Sequence, residues 1–195
     1  MTIGTKARNN AGRIIERLEY LKDTSAGKQY RSIYRSALVK DPSKIIEAQS
    51  LLLAQLYEEQ SLSIYQNKVD QCTLAAVALY SLFDQPSKTV YKKDLSLAEA
   101  LGLICGKNKD QEEKVRDRLT QLFRQNSFAG RISQLRGLIS LLKREDQPFD
   151  YSWLAQDLYK MTDRYKLSDL HYQWLNLFYR GIDKNSKTKK EDHND

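Results

Sequence analysis

QEEKVRDRLTQLFRQNSFAGRISQLRGLISLLKRE, residues 111–145, is the stretch that decides the fold. Val115, Leu119 and Leu122, then Ile132, Leu135, Ile139 and Leu142, recur at helical spacing. Between them stand Arg116, Arg118, Arg124, Arg131, Arg136, Lys143 and Arg144. One set of residues can bury a core while the other presents cations to solvent. The pattern predicts two consecutive helices with an anion-facing side, and the anion it suits best is a nucleic-acid backbone.

Composition points the same way. The chain has 195 residues, room for one compact domain or two small helical lobes. It is 41% hydrophobic, enough to bury a real core. Only 8 Gly and 3 Pro are present, too few punctuators for an all-β fold with its many turns. The expected class is all-α: a helical bundle of two packed lobes, residues 1–95 and 96–182, with a charged flexible tail at 183–195. Cys72 and Cys105 each lie in an apolar helical run and read as reduced core thiols. No apolar run reaches the roughly 18 residues of a membrane helix, and the first ten residues lack a signal-peptide core, so a cytoplasmic protein is expected.

The formal net charge of +7 is unevenly spread. Residues 1–40 carry 9 Lys and Arg against 3 acids, and residues 107–144 carry 10 against 4. Residues 41–106 and 145–181 are acidic on balance. If the fold brings the two cationic segments together, they form one basic surface. A generally soluble basic protein is the plainer reading of the same charge.

Residues 5–22 suit an amphipathic helix with Ile14, Ile15, Leu18 and Leu21 inward and Arg8, Arg13 and Arg17 flanking. In GKQYRSIYRSALV, at about 100° per residue, Lys28, Arg31 and Arg35 share one face, with Tyr30, Ile33, Tyr34 and Ala37 roughly opposite. That face is a backbone-binding surface or a solvated one. Asp41-Pro42-Ser43 starts a helix capped by Asp41 or Ser43. Its wide apolar arc (Ile45, Ile46, Leu51, Leu52, Leu53, Leu56, Tyr57) places it centrally in the core. Leu62 to Tyr65 connects to Cys72–Phe83, which is apolar on most sides, as a buried helix is. Asp84 to Asp94, with Pro86, Lys88, Lys92 and Lys93, is a domain boundary or a functional loop. Ser96 and Glu99 match a capping box, Gly106 a terminator, and Asp110 and Ser127 the caps of the two organising helices. Arg118 borders the apolar stripe and can snorkel, and the helix dipole accounts for part of Lys143 and Arg144. Asp150 can cap a helix carrying Trp153, Leu154, Leu158 and Met161. A last helix carries Leu167, Leu170, Trp174, Leu177 and Phe178.

Catalytic patterns are missing from the sequence. His171 and His193 have no partner set for acid–base or metal work, and no Gly-rich phosphate loop occurs. No catalytic residue, cofactor or metal is expected. A nuclease built from distant carboxylates stays open as a minor reading.

The order of motifs from Ser96 onward resembles a known family. Ser96-Leu97 with Ala100-Leu101 precedes a basic helix ending in Leu122-Phe123-Arg124. Leu135-Arg136, Leu141-Leu142 and Asp150-Tyr151-Ser152-Trp153-Leu154, leading to Asp157-Leu158, follow. Together they resemble CasB, the small subunit of type I-E Cascade, the CRISPR surveillance complex. The likeness spans roughly Ser96 to Phe178, and Lys28…Arg31…Tyr34-Arg35 is similar to a basic N-terminal helix of that family. The resemblance implies an all-helical, non-catalytic subunit that pairs with a second copy beside crRNA-guided Cascade subunits. There it helps hold target-bound and displaced single DNA strands apart, with RNA as a further contact. Its basic surface would fall on Lys28, Arg31, Arg35, Arg118, Arg124, Arg131 and Arg136; the reading of the residues themselves adds Arg116, Lys143 and Arg144. Gly137 departs from the second Arg that many relatives carry after Leu-Arg.

Guide RNA reads sequence by pairing, so such a subunit needs charge along a strand rather than base readout. Two rivals stand beside it. A free-standing helical DNA-binding regulator predicts a sequence preference. A purely structural subunit predicts that charge reversal harms assembly instead.

Overall fold

The computed structural model describes residues 2–39, 41–56, 64–83 and 90–191, the side chains of 64–66 and 185–191 excepted. Tyr57, the start of the connection at Leu62, residues 84–89 of the polar break, His193 and the rest of the last four residues lie outside the described residues. Nine α-helices stand among the described residues and no strand does. They are α1 (Ile3–Tyr20), α2 (Ser25–Ser36), α3 (Pro42–Leu56), α4 (Ile64–Phe83), α5 (Leu97–Lys107), α6 (Glu112–Arg124), α7 (Phe128–Arg144), α8 (Tyr151–Met161) and α9 (Leu167–Glu191). Short 3-10 turns at Lys109–Gln111 and Arg164–Lys166 lead into α6 and α9. The fold is all-α.

The chain forms two compact units: residues 1–91 with 151–160, and residues 92–150 with 161–195. The chain therefore changes unit at 91/92, a few residues before the expected 95/96. Helix α8, expected in the second lobe, packs with the first. Helix α9 runs through Glu191, well into the stretch expected as a flexible tail.

In the first unit α4 is the centre. Every residue from Cys72 to Tyr80 is buried, because its sequence is apolar on all sides. Helix α1 lays Ala7, Ala11, Ile14, Ile15 and Leu18 inward. Its small residues let α4 approach, and the Thr73 hydroxyl donates to the Ala7 carbonyl. Tyr80 reaches Glu19 through its hydroxyl at 2.8 Å and meets the Tyr151 ring of α8 edge-on. The Arg8 guanidinium lies 3.5 Å above the Trp153 ring centroid, a cation–π contact tying α1 to α8. Helix α3 is less central than its apolar arc suggested. Only Ala48 and Leu52 are buried, and Ile46 is 61% exposed. The Asp41 carboxylate caps α3, accepting from the Ser43 N–H and hydroxyl.

In the second unit α5 crosses α9 at two glycines. A Cβ on Gly102 would strike the Phe178 carbonyl oxygen, and one on Gly181 the Glu99 carbonyl oxygen. Only glycine lets the two backbones touch there. Trp174 and Phe178 of α9 fill the core, with Phe123 of α6 edge-on to Trp174. Asp94 holds a positive φ of 62°, fixed by its N–H donating to the buried Asp150 carboxylate.

Local signals fared unevenly. Ser127 caps α7 through the Gly130 N–H, and Ser96 caps α5 through the Glu99 N–H. The capping box is half made: the Glu99 carboxylate turns to Arg180 and Lys184 instead. Gly106 is a buried helical residue, and α5 ends at Asn108, whose backbone is extended. Asp110 does not cap α6. Asn108 caps the 3-10 turn through the Asp110 N–H, and Gln111 precedes α6 without a side-chain bond. Both cysteines are free and buried, and burial pushes each thiol up to about 12.

Candidate nucleic-acid interface

Helices α6 and α7 enclose a groove of about 510 Å³ in the second unit. Its floor is Val115 and Leu141, and its walls are Gln111, Lys114, Arg118, Gly137, Ser140 and Arg144. The spacing explains the lining. Residues 111, 114, 115 and 118 form one stripe of α6, and 137, 140, 141 and 144 one stripe of α7. No acid stands among these lining residues. Arg144 is paired only loosely, at 3.4 Å to the neighbouring Glu145, and its side chain stays 68% exposed. Arg136 and Lys143 lie on the same outward side of α7 as Ser140, so the groove continues into a cationic helix face. Gly137 has nothing within 4 Å of where a Cβ would stand, which leaves the groove open at its middle.

Arg116 and Arg124 fall on the other side of α6, toward α9. Arg116 pairs with Glu113 at 3.8 Å and bonds the Tyr179 hydroxyl, which raises its pKa. Arg124 is exposed beside His171. Burial first, then the Arg124 charge, pushes the His171 pKa down, while its ring lies 4.9 Å from Phe123.

Arg131 points inward. It is only 7% exposed, and its Nη1 donates to the Met161 carbonyl. Burial and the Arg164 charge lower its pKa, and its Nε has no partner.

In the first unit Lys28 and Arg35 are exposed on α2, whereas Arg31 is 7% exposed. Its guanidinium donates to the Leu18 carbonyl at 3.1 Å and to the Lys22 carbonyl. A cation at the end of α1 satisfies carbonyls that the helix leaves unpaired. The expected three-cation face of α2 is thus two exposed cations around one buried structural one. Tyr34, which spacing set roughly opposite that face, is buried as Arg31 is, its hydroxyl donating to Gln55 at 3.1 Å.

Lys114, Arg13 and Arg17 are among the exposed cations outside the expected site residues. Lys114 lines the groove one helical turn before Arg118, a spacing readable in the sequence. Arg13 and Arg17 are exposed on α1, opposite its buried stripe. Among the described residues, no group of three or more His, Cys, Asp or Glu could hold a metal, and no helix is long and apolar enough to cross a membrane.

Comparison with known proteins gives the fold company. No curated protein sequence matches. The crystal structure of CasB from Thermobifida fusca superposes with a TM-score of 0.69 at 20% identity, covering 91% of this chain and 97% of that one. A CRISPR-associated protein of the Cse2 family from Thermus thermophilus gives 0.63 at 19% identity, covering 87% and 97%. A chain of a structure described as a CRISPR RNA-guided surveillance complex gives 0.65 at 16% identity, covering 94% and 99%. These likenesses share the fold. The sequence profile described as CRISPR-associated protein Cse2 matches residues 31–179, which include half of α2, the groove helices and half of α9, and the chain belongs to that family.

Proposed function

We propose that this chain is the non-catalytic small subunit of a type I-E CRISPR RNA-guided surveillance complex. In that reading it steadies the crRNA–target R-loop by sequence-independent contacts to target and displaced DNA strands. The observation that carries the proposal is the acid-free α6–α7 groove, with Lys114, Arg118 and Arg144 on its walls and Arg136 and Lys143 continuing it. Arg forks bind phosphate oxygens bidentately, while Lys acts as a point charge. Lys28 and Arg35 add cations in the first unit, and Arg31 and Arg131 serve the fold that presents them. Family membership and the likeness to a chain of a surveillance complex support crRNA-guided Cascade subunits as partners; in this reading the chain pairs with a second copy, in a cytoplasmic setting.

The test is co-expression with Cascade subunits and a guide RNA, comparing wild type with Arg118→Glu/Arg144→Glu. Both proteins should co-purify with the guide-bound complex, and the variant complex should release target DNA faster. Removing one phosphate contact should flatten the log–log salt slope by about 0.9 on duplex or about 0.7 on a single strand. Loss of assembly without faster DNA release would assign these cations to protein contacts, the purely structural reading. Tight binding of the isolated chain to one duplex sequence would favour a regulator.

A further inference from the structure

We propose that the outward face of α9, with the neighbouring side of α6, is a base-stacking site for single-stranded nucleic acid, separate from the α6–α7 groove. Tyr165, Tyr172 and Tyr179 follow one another at intervals of seven residues. Seven residues are close to two helical turns, so Tyr172 and Tyr179 form one stripe of α9, rings about 10 Å apart along the axis. Tyr165, in the 3-10 turn that leads into α9, stands at the head of that stripe. The stripe is opposite the buried side of α9, which carries Leu170, Trp174 and Phe178. Exposure falls along it from 95% at Tyr165 to 68% at Tyr172 and 41% at Tyr179. Among the described residues, three of the seven exposed large hydrophobic side chains thus stand on this one face. Core packing does not account for Tyr165 and Tyr172, while Tyr179 also meets the buried Phe178 ring edge-on at 5.4 Å.

The charges beside the stripe choose the occupant. On the α6 side stand Arg116, bonded to Tyr179 and flanked by Glu113 and Asp117, and Arg124, beside His171. Arg164 is exposed at the start of the stripe. Asp169 and Asp183 border its other edge, also exposed. A strand would therefore run with its phosphates toward α6 and its bases over the rings. Exposed aromatic rings with cations along one side are the chemistry of single-strand binding, where stacking tolerates any base and arginine tracks the backbone. Tyrosine suits the role because its ring stacks while its hydroxyl stays wet. One ring interval corresponds to about three nucleotides at the B-form rise of roughly 3.4 Å per nucleotide, and to fewer when the strand is stretched. The proposal shares only its ligand class with the groove reading.

The experiment measures anisotropy of a labelled deoxythymidine 20-mer and of an abasic deoxyribose-phosphate strand of equal length, across a salt series. The proteins are wild type, Tyr165→Ala/Tyr172→Ala/Tyr179→Ala, the corresponding triple Phe variant, and Tyr172→Ala alone. Stacking is worth about 1–3 kcal/mol per base, so the triple Ala variant should bind the 20-mer about a hundredfold more weakly. Its affinity for the abasic strand should change less than about twofold, and its salt slope not at all, because no phosphate contact is removed. The Phe variant should keep near-wild-type affinity. Tyr172→Ala, at an exposed position that folding does not need, should lose about fivefold or more on the 20-mer alone. Equal weakening on both strands would overturn the proposal, leaving the rings as supports for Arg116. Unchanged affinity of the triple Ala variant for the 20-mer would also overturn it. A wild type that binds the abasic strand as tightly as the 20-mer sinks only the stacking site. A wild type that binds neither strand sinks the groove reading with it.

Discussion

The α5–α9 crossing and the α6–α7 groove use the same residue types to opposite ends. At the crossing, Gly102 and Gly181 remove side chains so that two backbones touch, and the cations Arg180 and Lys184 close on the buried Glu99 carboxylate at 2.6 and 2.7 Å. At the groove, Gly137 removes a side chain and nothing fills the space, and Lys114, Arg118 and Arg144 face no acid across it. The first region closes on itself; the second turns its charge toward solvent. Glycine and arginine in a helix therefore announce neither packing nor binding until the opposing surface is known.

The largest expected effect breaks the closed region. Gly102→Ala drives a methyl into the Phe178 carbonyl oxygen, a backbone atom that cannot rotate away. Overpacking of this kind costs about 3 kcal/mol, at the upper end of its usual range. Urea denaturation should show the midpoint falling with little change in slope. A loss under about 1 kcal/mol would mean that α5 and α9 have room to part.

The charge half of the same region comes next. Burial pushes the Glu99 carboxyl up, but bonds from Arg180 and Lys184 together with their charges more than offset it, so its pKa lies below the usual glutamate value. A depressed carboxylate stabilises the fold above its unfolded pKa of about 4.3, and that contribution is lost as pH falls through the folded value. Glu99→Gln should cost about 2 kcal/mol at neutral pH, since both cations are more than half exposed and can return to water. Its acid limb should be flatter than that of wild type. Parallel acid limbs would show that other carboxylates govern acid unfolding. His171 acts in the same direction at higher pH: its lowered pKa means stability present above about 6.5 and declining below it.

The comparison sharpens on two arginines of neighbouring helices. Arg131 donates to the Met161 carbonyl in the interior, whereas Arg118 lines the groove. Arg131→Met should cost about 1 kcal/mol of stability, a modest loss because its unpartnered Nε is removed along with the bond. Arg118→Met should change stability by less than about 0.5 kcal/mol, yet flatten the salt dependence of DNA binding by about 0.9. Thermal melts and salt titrations on the same two proteins check both halves. If both variants lose DNA and neither loses stability, Arg131 belongs to the interface after all.

These two arginines also show what a sequence can and cannot say. Periodicity names a helix face but not the neighbour across from it. Arg31 and Arg131 sat on cationic faces by spacing, and only the end of α1 and the Met161 carbonyl explain why both turned inward. The buried run of α4 was legible because it is apolar in every direction, so any neighbour serves. The apolar arc of α3 misled because burial needs a partner on each side, and Ile46 has water on one. Helix α8 carries core residues but no address, so its place in the first unit was invisible, although the Arg8 guanidinium of α1 lies over its Trp153 ring. Ser127 was legible because a cap acts within three residues. The half-made box at Ser96 was not, because Glu99 answers to residues more than eighty positions away. Lys114 was within reach, needing only its one-turn spacing from Arg118 to be weighed.

The smallest expected effect tests the open region where it is emptiest. Gly137 sits in the middle of α7 with helical backbone and no atom near its missing Cβ. A glycine there costs helix stability without providing a close approach. Gly137→Ala should therefore stabilise the protein by about 0.5–1 kcal/mol, the reverse of Gly102→Ala on the same chemical change. Gly137→Arg should keep most of that gain, since arginine is a good helix former, and should place a further guanidinium between Arg118 and Arg144. On duplex DNA its salt slope should steepen by about 0.9 if the new cation reaches a phosphate. The opposed signs at positions 102 and 137, read in one pair of urea titrations, would establish that α6 and α7 hold a standing opening. Destabilisation by Gly137→Ala would mean instead that something in the folded protein already occupies it.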